Sequence, residues 1–144
     1  MKKVIVLLIA AMLFVPLLLT GVGCGEESTE DAKKQLCEDL QGLETALVGL
    51  TDISLESSID DLKAKQKTVD DAWNNVVDSA SKVAEVQIND LRNAVDDLID
   101  TIENIPSGTS IREALELITV QISEVESAWA ELTSSLDCDE LMNE

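Results

Sequence analysis

The chain has 144 residues, 29 acidic against 10 basic side chains, no His, no Tyr and 2% aromatic residues. That length suits one domain, and the missing His removes the commonest general base, proton shuttle and metal ligand near neutral pH. A formal charge of −19 argues against nucleic acid as a partner, because phosphates are bound by neutralising them with Lys and Arg.

The first element in chain order is a leader. Lys2 and Lys3 precede an apolar run from Val4 to Thr20 broken only by Pro16; Gly21, Val22 and Gly23 then lead into Cys24, with no charge between Lys3 and Glu26. This is the layout of a secretory signal with small residues at its cleavage site, so residues 1–23 are expected to be removed before the protein folds. The competing reading is an uncleaved anchor helix, for which the run is at the short edge of what spans a bilayer.

Through Gly21-Val22-Gly23-Cys24 the chain resembles bacterial lipoproteins, in which small residues followed by Cys direct diacylglycerol onto the thiol and cleavage just before it. The class usually carries Leu where this chain has Gly21, and Gly21 with Gly23 also suits an ordinary signal peptidase, which would release a soluble protein. The resemblance implies a lipid on Cys24, a short linker over 24–29, and a domain outside the cytoplasm held at the cell membrane or outer membrane. Gly25 is not the Asp that often marks inner-membrane retention in that class. Lipidation of Cys24 leaves Cys37 and Cys138 as one pair, suited to a disulfide in an oxidising compartment, whereas a free Cys24 would leave an odd, exposed thiol. Removing the leader takes away Lys2 and Lys3 and no acid, leaving 8 basic and 29 acidic residues and a charge of −21. Anionic head groups repel such a body, so attachment would depend on the lipid alone.

From residue 30 to 144 a single all-α domain is expected. Apolar residues step by four and three: Leu36, Leu40, Leu43, Leu47, Leu50; then Ile59, Leu62, Val69, Trp73, Val76, Ala80, Val83, missing only at Gln66; then Ala84, Ile88, Leu91, Val95, Leu98, Ile102, Ile105; and Ile111 to Leu136 without a miss. Thr51-Asp52-Ile53-Ser54 and Pro106-Ser107-Gly108-Thr109 are the turn signals. Ser110 with Glu113 makes a capping-box pattern, and Ser54 is its expected counterpart as an N-cap. Val69-x-x-Ala72-Trp73-x-x-Val76 recurs 56 residues later as Val125-x-x-Ala128-Trp129-x-x-Leu132, while an offset of 55 maps Leu36–Leu50 onto Leu91–Ile105. Residues of about 36–77 and 91–133 therefore read as a duplicated helical hairpin.

The expected architecture is an antiparallel bundle of three helices with a long central helix running through the eighties; the alternative is a four-helix up-down bundle. No Gly, Pro or Asn-rich break lies between Ala80 and Leu91, and the apolar seam jumps one residue at Val83/Ala84, a turn of about 100° that would offer one face to each partner helix. Counting rise along straight helices puts Cys37 and Cys138 about 13 Å out of level in the three-helix layout and about 35 Å in the four-helix one. A bonded pair, needing Cα atoms within about 7 Å, therefore favours the long central helix.

Few residues advertise chemistry. Trp73 and Trp129 sit on apolar seams, as core packing or as two equivalent walls of an apolar ligand site. Gly42 and Gly49, one heptad apart, suggest a close helix approach or a weakened helix end. The paired acids (Asp60-Asp61, Asp70-Asp71, Asp96-Asp97) lie mostly off the seams, as a solvated face. From Glu113 to Glu144 there are nine acids and no Lys or Arg, a one-signed surface that suits a basic protein partner or solubility. No nucleophile motif, P-loop, dinucleotide fingerprint or zinc spacing occurs, so neither catalytic residues, cofactor nor metal site is expected. The sequence thus points to a non-enzymatic, lipid-anchored spacer or protein-interaction module. The alternative is a carrier or sensor of a small apolar molecule near the two Trp, and oligomeric state stays open.

Overall fold

The computed structural model describes residues 29–83 and 86–142; the leader, Cys24 and the linker up to residue 28 lie outside them. Helices follow one another as α1 (Thr29–Thr51), α2 (Ile59–Ala80), α3 (Asn89–Glu103), α4 (Ile111–Ser135) and the single turn α5 (Cys138–Leu141). Among the described residues there is no strand. Each helix buries the seam its spacing announces: Leu36, Leu40, Leu43, Leu47 and Leu50 of α1, Leu91, Val95, Leu98 and Ile102 of α3, and Ile118, Ile122, Val125 and Leu132 of α4 all join one core. Glu30, Asp31, Asp60, Asp61, Asp90 and Glu113 stand in first helical turns, where carboxylates complement the positive end of the helix dipole.

Two reciprocal caps start the second helix of each hairpin. In α4 the expected pair is present: the Ser110 hydroxyl accepts from the Glu113 N–H at 3.3 Å, and the Glu113 carboxylate accepts from the Ser110 N–H at 3.2 Å. In α2 the cap is Ser58 with Asp61, at 3.2 and 2.9 Å, not Ser54. Ser54 instead closes a turn, its carbonyl accepting from the Ser57 N–H and its hydroxyl from the Glu56 N–H. The two caps stand 52 residues apart, four short of the 56 that relates the tryptophans. α2 therefore lacks the first turn of α4, and Leu55 is 59% exposed where its counterpart Ile111 is buried. Elsewhere the offsets preserve burial: Leu62 with Ile118, Val69 with Val125, and Leu40 with Val95. Hydrogen bonds from Ser58, the backbone N–H first, hold the Asp61 carboxyl below its ordinary range. The Ser110 hydroxyl, then its N–H, does the same for Glu113.

The long central helix is corrected. α2 ends at Ala80 and α3 begins at Asn89, so the described residues form four principal helices. The Lys63 ammonium, one turn into α2, donates to the carbonyl of Glu103, the last residue of α3, at 3.2 Å. On one continuous rod those residues would be about 60 Å apart; the contact requires the chain to reverse and α3 to run back beside α2. No Gly or Pro marks the stop. Three serine hydroxyl bonds do: Ser79 donates to the carbonyls of Asn75 and Val76, and Ser81 to that of Asp78. Such bonds compete with helical pairing. The Lys82 and Val83 amides then shorten to three-residue bonds on Ser79 and Ala80, and Val83, Val86 and Ile88 are β-branched residues of low helix propensity. The seam jump marks the reversal; Val83 is buried under it.

The cystine joins Cys37 of α1 to Cys138 at the start of α5, with Cα atoms 5.5 Å apart. It coexists with four helices, so the level arithmetic failed. Straight-helix counting does not hold at the connections 52–58 and 104–110, which are not helical and where backbone spans up to about 3.3 Å per residue against about 1.5 Å in a helix. It also carried α4 through to Cys138, whereas α4 stops at Ser135 and Asp137 takes a left-handed conformation (φ 57°), which Asp tolerates better than most residues. The turn brings Cys138 back against α1. A cystine fits an oxidising compartment, and among the described residues no helix is long and apolar enough to cross a membrane.

Gly42 and Gly49 are not sites of close approach: a Cβ on either would meet nothing within 4 Å.

Two outcomes follow from these contacts. Cys37→Ser with Cys138→Ser opens a loop closed over a separation of 101 residues and is expected to lower unfolding free energy by about 4–5 kcal/mol, read by urea denaturation. Asp61→Ala with Glu113→Ala removes two carboxyls whose pKa is depressed on folding, so their contribution is complete above the unfolded value and fades as pH falls through the lower folded one. The stability gap between wild type and this variant should be widest near neutrality and close progressively below about pH 4, measured by urea unfolding across a pH series.

Candidate functional site

The structure sets the two tryptophans in different surroundings. Trp73 of α2 is 5% exposed and belongs to the core. Trp129 of α4 is half-buried, and its indole N–H donates to the Leu40 carbonyl of α1 at 2.8 Å. That bond crosses 89 residues of chain and ties the first helix to the fourth about one turn above the cystine.

Trp129 lines a cleft of about 300 Å³ between α1 and the end of α4. Its floor is the Cys37–Cys138 bond; Gln41, Glu44, Thr133 and Asp139 supply polar walls, and Met142 one apolar edge. Trp73 does not line it. The indole N–H is already committed to backbone, so the cleft offers a ligand the ring edge and not its donor.

A larger feature lies on the other side of α4. Two adjoining hollows of about 660 and 510 Å³ between α3 and α4 share Asp97 and Glu124, and together form one open groove. Asp90, Asp100 and Glu131 also line it, with no Lys or Arg. Its apolar contribution includes Leu117 and Val120, 53% and 60% exposed. Gln121 lines the second hollow, and its buried side-chain oxygen has no hydrogen-bond partner. The one-signed charge of this helix is plain in the sequence, whereas Leu117 and Val120 lie off its apolar seam. Two large aliphatics on the polar face of a helix were the available signal.

The acidic pairs are separated by role. Asp61 caps α2, Asp71 pairs with Lys67 at 3.6 Å on an exposed face, and Asp97 faces the groove while Asp96 does not line it. Among the described residues no group of three or more side chains is arranged to hold a metal ion. Comparison with protein-family models, curated proteins and solved structures found no match to the chain.

The contrast between the tryptophans is measurable. Trp73→Ala should cost about 3–5 kcal/mol of stability through the cavity it leaves, whereas Trp129→Phe keeps a smaller aromatic ring at a half-buried position, loses one hydrogen bond and should cost about 1 kcal/mol. Urea denaturation of both variants checks this.

Proposed function

We propose that the protein is exported, lipidated on Cys24 and held at an extracytoplasmic membrane surface, where its helical body acts without catalysis as a protein-interaction module or spacer. The observation that carries this reading is the Cys37–Cys138 bond. With those two cysteines joined, Cys24 is the odd one of three, directly behind an apolar leader and two small residues. A lipid there accounts for all three cysteines. The surface supports a binding role for the body: its charge is overwhelmingly of one sign, and the α3–α4 groove is shallow, open and rimmed by carboxylates.

The carrier reading rests on the cleft beside Trp129. Trp73 stands apart from it, in the core, so the two-walled apolar site that the repeated Trp suggest draws little support.

Intact mass of protein taken from the cell envelope, with and without reduction, tests the proposal. The expected result is a chain starting at Cys24 with added acyl mass, which gains two hydrogens on reduction, and a Cys24→Ser variant that leaves the membrane fraction. A Cys24 thiol that alkylates freely in a soluble protein would overturn the anchored reading. A small apolar compound that saturates Trp fluorescence at fixed stoichiometry would replace the interaction role with the carrier.

A further inference from the structure

The groove between α3 and α4 has a shape and chemistry that nothing in the bundle itself uses. Along α3, Asp90 and Asp97 are one heptad apart; along α4, Leu117, Glu124 and Glu131 follow the same interval. Residues seven apart share a helix face, so each wall is a continuous stripe. From Leu117 to Glu131 the stripe is about 21 Å long, the length of a helix of about 14 residues. At one end Leu117 and Val120 offer bare aliphatic surface. At the other, and along both rims, every charged lining residue is a carboxylate.

We infer that this groove seats a basic amphipathic helix of another protein, an inference that rests on the interaction role proposed above. Two antiparallel helices present the cradle into which a third packs. Aliphatic side chains of the incoming helix cover Leu117 and Val120. Its Lys and Arg, flanking that stripe, reach the carboxylates on both rims, their apolar stems lying along the groove. A second copy of this chain does not fit, because α4 would meet a surface of its own sign. A neutral apolar molecule would leave the rim charges unanswered and find no enclosed cavity. Charge complementarity therefore selects the occupant, while the aliphatic pair fixes where along the groove it lies.

The test uses the purified, disulfide-bonded protein and two synthetic peptides of about 14 residues. One carries Leu on one helical face and Lys on its flanks; the other has the same composition scrambled so that no amphipathic face forms. At physiological ionic strength the amphipathic peptide should bind with one-to-one stoichiometry, about tenfold tighter than the scrambled one. Leu117→Ser with Val120→Ser, which changes no charge, should weaken it about tenfold, as should Asp97→Asn with Glu124→Gln. Glu38→Gln with Asp78→Asn removes the same charge from α1 and α2 and should change affinity less than threefold. Equal binding of both peptides, or equal loss from the two charge-removing pairs, would mean diffuse attraction to an acidic body and overturn the groove.

A photo-reactive side chain at position 120 or at position 70, in cells, separates this failure from failure of the interaction role. Cross-linking from position 120 to a basic helical segment of a partner supports the groove. Cross-linking from position 70 alone overturns it and leaves the module reading standing. No adduct from either position counts against both.

Discussion

The first helix is tied twice within about one helical turn, to α5 by the cystine and to α4 by an indole hydrogen bond. Cys37 is bonded to Cys138, and the Trp129 indole donates to the Leu40 carbonyl above it. α1 packs chiefly on α2, and α3 chiefly on α4, so the body consists of two helical pairs with a narrower area of contact between them. A pair of helices alone buries one stripe apiece and leaves its opposite faces wet. Closing α4 onto α1 converts two such pairs into one core in which Leu36, Leu40, Leu98 and Ile118 are withdrawn from water together. The covalent tie acts mainly by denying the unfolded chain its wider excursions; the indole bond fixes the alignment of the two helices.

The opposite seam, between α2 and α3, is held differently. Lys63 reaches the terminal carbonyl of α3, one of the groups a helix end leaves without an internal partner. Among the described residues no helix carries a basic residue in its own last turn. For α3 the complement to the negative end of its dipole comes instead from its neighbour, so stabilising one helix terminus also sets the pairing of two.

Helix content and the buried faces were legible in the sequence because the apolar period is long, regular and uninterrupted by β-forming alternation. The Ser110–Glu113 cap and the cysteine pair were legible too, each carrying its own local or parity signal. The reversal in the eighties was not. Its stop is built from serine hydroxyls turning back onto their own helix and from β-branched residues, none of which punctuates a sequence as Gly or Pro does. The cap of α2 was misplaced for a related reason: the repeat aligned Ser54 with Ser110, while the chain uses Ser58 and drops one helical turn. Straight-rod counting then misjudged the cystine, because tertiary geometry depends on what non-helical segments do between the rods. The α3–α4 groove escaped notice since attention to period favours residues on the seam, and Leu117 and Val120 lie off it.

Alternating helix direction, together with the bond between α1 and α5, has a consequence for how the molecule is presented. Residue 29 and residue 142 leave the bundle at the same pole, beside the cystine, while the turns at 52–58 and 104–110 occupy the other. A support that holds the pole of residues 29 and 142 therefore displays those two turns outward. Grafted epitopes or reporters belong in the outward turns, where exposed backbone accommodates insertion, and where they would stand clear of the support.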